Sequence, residues 1–305
     1  MKKEYQISEC RIIERCGETQ FLVTVYVNPD KDEKRYLVDE LKIDEHTLNS
    51  ALDPEELSRL EFEPNHSALI FKRPQNYSGK DQFLFRVGST GVFLFKDRLV
   101  VVLSDDVPLF DGKQFTKVSS LNDLLGKLIY RAISHFLEHL RIINMVSEEI
   151  EQKVNTSMEN SFLINMFTLE KSLVYYLNAI NSNSMLIEKL RNNTSKLGFV
   201  PEEIEFLDDV MIENNQCLKQ AEIYSNILAS LMDARVSIVS NNLNILIKFL
   251  NILTIVIMIP TFVVSAFSMN VKIPFQLFPY AFWLIMAIAG GAALLIVLFW
   301  RYKKW

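Results

Sequence analysis

In the stretch SAFSMNVKIPF, residues 265 to 275, Ser268, Met269 and Asn270 stand between two long apolar runs. They offer a chemistry that needs no carboxylate. A small, strongly hydrated divalent cation gives up its inner waters reluctantly, so amide and backbone carbonyl oxygens can hold the hydrated ion through those waters without trapping it. Asn270 supplies such an amide, and Met269 is expected to pack the loop rather than touch an ion. Upstream, Asn244, Asn251, Thr254, Met258, Thr261, Ser265 and Ser268 recur at steps of seven, three, four, three, four and three. On a helix these residues share one face. Polar side chains are costly against lipid, so the stripe should face either other protein or a water-filled cavity, and simple helix packing remains the alternative.

A second spacing carries a different chemistry. HFLEH, residues 135 to 139, has the His-x-x-Glu-His pattern of an inverted zinc-hydrolase motif, with His135 and His139 one turn apart. No distinctive third ligand follows, and Phe136 and Leu137 fit helical packing, so the reading is two histidines on a solvated helix and no catalysis. Cys10, Cys16 and Cys217 form neither a metal spacing nor a disulfide framework and suit a reducing cytosol as free thiols. No glycine-rich phosphate loop is present. The 32 basic and 37 acidic residues, net charge −5, argue against nucleic acid as a partner and suit a surface that attracts cations.

The elements that must position these residues follow from hydropathy. Phe249 to Phe267 and Tyr280 to Trp300 are free of charge, and each is about as long as the ~30 Å bilayer core is thick. Two transmembrane helices are predicted. The opening MKKEYQISEC lacks the apolar segment of a cleavable signal, so the first 240 residues are expected in the cytoplasm. Lys248 before the first span and Arg301, Lys303 and Lys304 after the second, against Lys272 alone in the loop, place both termini inside. Residues 1–112 read as an α/β domain with strands at 21–27, 68–73, 83–87, 91–96 and 98–103, a turn at Gly88 to Gly91 and short helices between Arg35 and Leu60. Residues 113–200 read as an antiparallel helical pair, from Ser119 or Ser120 to about Thr156 and from about Ser161 to Arg191. Pro201 then opens a stalk helix that continues as the first span to Phe267, roughly 100 Å at ~1.5 Å per residue. The outer loop is 268–279, the second span 280–300 and a basic tail 301–305. Two spans per chain cannot enclose a pore, so a channel would need a homo-oligomer in the bilayer.

SMN after a long stalk and first span, the short outer loop, the second span and the terminal RYKKW together resemble the two-transmembrane GMN family of CorA-type magnesium channels, whose signature is Tyr-Gly-Met-Asn. EELSRLEFEPNHSALIFKRP (55–74) and SLMDARVSIVSNNLNILIKFLNILTIVIMIPTFV are similar to that family's acidic segment leading into a strand and to its stalk and pore helix. The resemblance implies a funnel-shaped CorA-like homopentamer that passes hydrated divalent cations into the cell. Magnesium would be the transported and regulatory ion, with zinc or cobalt as alternatives, possible proton coupling, and a transport-inactive scaffold or sensor as the reading from another class. It implies an outer ion site at Ser268, Met269 and Asn270 and a pore lined by Asn244, Asn251, Thr254, Thr261 and Ser265. Ile247, Leu250 and Met258 would fit an apolar constriction that closes by dewetting. Asp209 and Asp233 match positions where neighbouring subunits share a regulatory cation, and Asp53 and Glu55 lie near the expected place of a third acidic partner. Two departures stand out. Phe267 and Ser268 replace the signature's Tyr and Gly, so serine would strain the turn if the glycine serves a positive φ, and the loop VKIPFQLFPY carries no acid.

Overall fold

The computed structural model describes residues 1–8, 11–14, 22–77, 83–156, 161–269 and 279–303. The chain divides into two compact units, Met1–Met232 and Asp233–Trp305.

The first unit is built on a seven-stranded sheet. β1 (Lys2–Ser8), β2 (Arg11–Glu14), β3 (Leu22–Val27), β4 (Arg59–Phe62), β5 (Ser67–Pro74), β6 (Val87–Leu94) and β7 (Arg98–Leu103) lie in the order β2-β1-β3-β7-β6-β5-β4. Only β3 and β7 pair in parallel. Strand alternation sends residues to two cores. Val23, Val25, Leu69, Phe71, Val92, Leu99 and Val101 face one side, and Tyr26, Phe93, Val100 and Val102 face the other. That second side is covered by α1 (Lys31–Asp39) and α2 (Glu45–Ser50), through Leu37 and Leu48. Each helix starts on an aspartate: Asp30 forms a capping box with Glu33, and Asp44 accepts from the Thr47 N–H at 2.9 Å.

The first side is covered by α3 (Leu121–Thr156) and α4 (Ser161–Asn192), and the early turns of α6 (Pro201–Phe267) join the same core, with a four-residue helix, α5 (Thr194–Leu197), between α4 and α6. One continuous core runs from the sheet through Phe136, Tyr176 and Ile180 to Leu207, Val210, Cys217 and Ala221 of α6. Ser120 caps α3, its Oγ accepting from the Asp123 N–H at 3.0 Å, as the serine at that place predicts. Glu203 sits on the third position of α6 and accepts from the Val200 N–H at 3.0 Å.

Three strands escape the sequence reading, and one turn is corrected. β1, β2 and β4 are not anticipated, Gly88–Gly91 lies inside β6 rather than in a turn, and of the strand expected at 83–87 only Val87 is in β6, residues 83–86 forming no strand. Gly91 is there for close approach: a Cβ at this position would lie 2.4 Å from the Ala51 Cβ, just beyond α2. Gly91→Val is expected to cost about 1–3 kcal/mol through the resulting clash, read as a lower denaturant midpoint of the folded chain.

The far end of β5 is completed by a helix instead of a strand. β4 begins at Arg59, opposite Ile70, so the backbone of Lys72 has no neighbour from β4. Asn183 of α4, fully buried, takes its place: Nδ2 donates to the Lys72 carbonyl at 2.9 Å and Oδ1 accepts from the Lys72 N–H at 2.8 Å. Oδ1 also accepts from Ser58 Oγ at 2.8 Å. A buried ladder group left open costs about 1–3 kcal/mol, which this amide avoids twice.

The second unit contains the rest of α6 and α7 (Ala281–Lys303). Both carry windows apolar enough to cross a membrane, with mean hydropathies of 2.2 and 2.5.

Candidate functional site

Within the second unit, burial sorts the faces of α6. Ile252, Val256, Ile259, Val263 and Ala266 are half-buried, and on α7 Ile285, Ala289, Ala292 and Ile296 are half-buried or buried. These rows, spaced by three and four, are the faces the two spans turn toward each other. Asn244, Asn251, Thr254, Met258, Thr261, Ser265 and Ser268 are all exposed. At about 100° per residue they lie on the opposite side of α6 from the row facing α7. Ile247 and Leu250 are also exposed.

The threonine hydroxyls on this stripe have their protons occupied. Thr254 Oγ1 donates to the Leu250 carbonyl and Thr261 Oγ1 to the Ile257 carbonyl, each at 2.8 Å. Outward they present lone pairs only, which suit the water protons around a hydrated cation. Ser268 Oγ donates to the Ser265 carbonyl at 2.9 Å, and its N–H reaches the same oxygen at 3.2 Å. Together they close off the last turn of the helix. Among the described residues the non-glycines with positive φ are Asn28, Lys42 and Phe83, so Ser268 carries none of the strain its replacement of glycine suggested. Met269 is exposed, and Asn270 lies outside the described residues.

Asp209 and Asp233 are both exposed on α6, 24 positions apart in the sequence. Among the described residues no three histidine, cysteine, aspartate or glutamate side chains gather as a metal site within one chain. Asp53 and Glu55 lie in the loop after α2, which is pinned by its backbone. Ser89 Oγ donates to the Asp53 carbonyl at 2.5 Å, and the buried Lys72 Nζ donates to the Pro54 carbonyl at 2.9 Å and to Ser89 Oγ at 2.9 Å. Burial pulls the Lys72 ammonium down to about 8, against the carboxylates of Asp53, Glu56 and Glu55. Sequence reasoning missed this brace, whose one signal is a lysine at the centre of an apolar strand.

The expectation of solvated histidines is corrected. His139 is buried, with Nδ1 2.6 Å from the Tyr176 hydroxyl, and the His135 ring stands 4.4 Å from it. Helix α3 turns this face toward α4 and the sheet, so the HFLEH spacing serves packing. Both imidazoles are pushed down to about 4, first by burial; Arg131 and Arg73 add to the effect at His135, and His135 adds to it at His139. Between the ordinary value of 6.5 and about 4 the unfolded chain takes up protons that the fold refuses. Stability from this source is therefore whole above that window and is lost as pH falls through it. The thermal midpoint should drop by roughly 5 °C or more between pH 7 and pH 5, and His139→Gln should flatten that slope. Cys217 is free and buried, its thiol raised to about 12 by burial and then by Glu213. Cys10 and Cys16 lie outside the described residues.

Comparison with known proteins gives the arrangement its relatives. The chain is 23% identical over 319 residues to the cobalt/magnesium transport protein CorA of Methanocaldococcus jannaschii, covering 99% of this chain and 97% of that protein. It is 24% identical over 183 residues to the cobalt/magnesium transport protein CorA of Thermotoga maritima, covering 60% of this chain and 52% of that one. The complete CorA structure from M. jannaschii superposes with a TM-score of 0.83 at 18% identity, over 99% of this chain and 97% of that one. The full-length CmaX structure superposes with a TM-score of 0.75 at 16% identity, over the same shares. The α/β unit, the long helix and the two apolar helices are thus the CorA fold. The family described as CorA-like Mg2+ transporter protein matches residues 20–304, and with that extent of agreement the chain belongs to it.

Proposed function

We propose that the protein is a homopentameric channel for hydrated divalent cations, magnesium first, in the cell or inner membrane, with both termini in the cytoplasm. The observation that carries this reading is the polar stripe of α6, exposed on the side away from α7. In a ring of copies α7 stands outside against lipid and the stripe turns to the axis, where its lone pairs meet the waters of the ion. Asn251, Thr254, Thr261 and Ser265 line the path, and Asn244 lies toward its cytoplasmic side. Ile247, Leu250 and Met258 form the apolar constriction. Ser268, Met269 and Asn270 form the outer mouth, where the C-terminal carbonyls of α6 add the negative end of the helix dipole. The family is one of membrane transporters, so no catalysis is assigned.

Asp209 and Asp233 are proposed to share a regulatory cation with carboxylates of neighbouring copies. The bound ion relieves their repulsion and holds the ring shut, and low cytosolic magnesium releases it. Asp209→Asn with Asp233→Asn keeps shape and removes charge. Magnesium should then protect the stalk from protease at least about threefold less well and suppress current less. Unchanged protection and unchanged suppression would sink the regulatory role and leave conduction standing.

The conduction reading is tested by uptake into liposomes with a panel of magnesium, cobalt and zinc, and by native mass determination in nanodiscs. Mainly monomers or dimers, or no flux of any ion, overturns it; preference for zinc or cobalt reassigns the ion alone.

A further inference from the structure

Between the helical side of the sheet and α3 lies a cavity of about 70 Å³. β5 and β6 supply Arg73 and Thr90, α3 supplies Arg131 and His135, Asn76 stands on the lining after β5, and the segment 107–109 closes one side. Phe71 pairs with Thr90 across the two strands, so Arg73, two residues on from Phe71, points to the same side of the sheet.

Two of these side chains are buried with donors left over. Arg73 is 5% exposed. Its Nη2 donates to Asp105 at 2.5 Å and its Nη1 to the Pro74 carbonyl at 3.1 Å, but its Nε–H has no partner. Thr90 is fully buried and its hydroxyl has none either. Buried donors of this kind are normally matched, and an unmatched guanidinium N–H is among the costlier exceptions. Arg131 brings a second guanidinium, tied by one nitrogen to Glu138 at 3.1 Å. Both arginines stand close enough to His135 to add to the lowering that burial imposes on its imidazole. His139, the next titratable ring, is neutral there and occupied with Tyr176. None of these groups serves the conduction path or the regulatory carboxylates.

Planar guanidinium donors and a hydroxyl converging on a small cavity suit an oxyanion, whose several oxygens accept in the geometry the fork presents. The volume sets the size: it admits a few waters or one tetrahedral oxyanion and is far below what a nucleoside needs. We propose that this pocket binds a small free oxyanion of the phosphate class, held by the Arg73 Nε–H, the Arg131 guanidinium and the Thr90 hydroxyl.

The test uses the full chain in nanodiscs, in buffer stripped of divalent cations, with inorganic phosphate titrated by calorimetry and ATP in a second arm. Phosphate should bind saturably and raise the thermal midpoint. Arg131→Gln, at a partly exposed position on α3, should weaken it at least about tenfold while melting normally without phosphate. Thr90→Val, isosteric, should weaken it severalfold, and if that variant does not fold Arg131→Gln decides alone. Lys171→Gln, an exposed control on α4, should change nothing. Absence of saturable binding, or unaltered affinity in Arg131→Gln, overturns the proposal. ATP binding as tightly as free phosphate overturns the assignment to a free ion.

Discussion

Asn270→Ala should abolish magnesium uptake into liposomes at matched protein density, with the mass of the assembly unchanged. The residue follows Met269, which is exposed just beyond the closed last turn of α6, and in the proposed outer mouth its amide would meet the ion. Under that proposal, removing the amide takes away the one side-chain carbonyl that each copy of SMN would offer the hydrated cation. A carboxylate in its place should bind the cation more tightly and conduct differently, since attraction rises while release slows. Ser268→Gly should retain or improve flux: Ser268 is unstrained, and what glycine removes is one hydroxyl bond to the Ser265 carbonyl, leaving that oxygen freer to face an ion. Uptake in Asn270→Ala equal to that of the parent would remove the residue from selectivity altogether.

Modification of Thr261→Cys by a positively charged methanethiosulfonate should cut flux by more than about tenfold, because a fixed cation on the axis raises an electrostatic barrier to every divalent ion. Leu294→Cys, on the side of α7 away from its buried Ala289, should be untouched by the same reagent because in the proposed ring lipid would cover it. The background requires Cys10→Ser and Cys16→Ser only, since Cys217 is buried and its thiol, raised to about 12, stays protonated and inert. Equal modification and equal loss at both sites would mean that the stripe does not face an aqueous path.

The helices were legible because their signals are local. Ser120, Pro201 and the charge-free runs each mark a boundary through a cap, a first-turn proline or hydropathy, and α3, α4 and α6 begin and end within two residues of the expected places. The polar stripe was legible for the same reason: periodicity within one helix fixes a face. Strands β1 and β4 were not. KKEYQIS and RLEF mix charge with apolar residues because one lies near the sheet edge and the other on it, and only pairing with β3 and β5 makes them strands. The run through Gly88 and Gly91 misled because glycine marks a turn and a tight packing contact equally well, and the deciding neighbour, Ala51, is far away in sequence. The histidines on α3 failed as a reading for a related reason. Spacing placed them on one face but could not say that α4 would bring Tyr176 onto that face. Asp209 and Asp233 came from resemblance, and among the described residues of a single chain neither belongs to a cluster of three potential metal ligands.

The amide of Asn183 that completes β5 is also a clock. It is 111 residues downstream of Lys72, so at about 5–20 residues per second of synthesis the strand waits on the order of 10 s for its last partner. During that interval the end of β5 is open to whatever else can pair with it. The first charge-free run begins only at Phe249, so Asn183 leaves the ribosome before the membrane segments do. The order of the chain lets the first unit latch its sheet before the apolar helices that follow have been made.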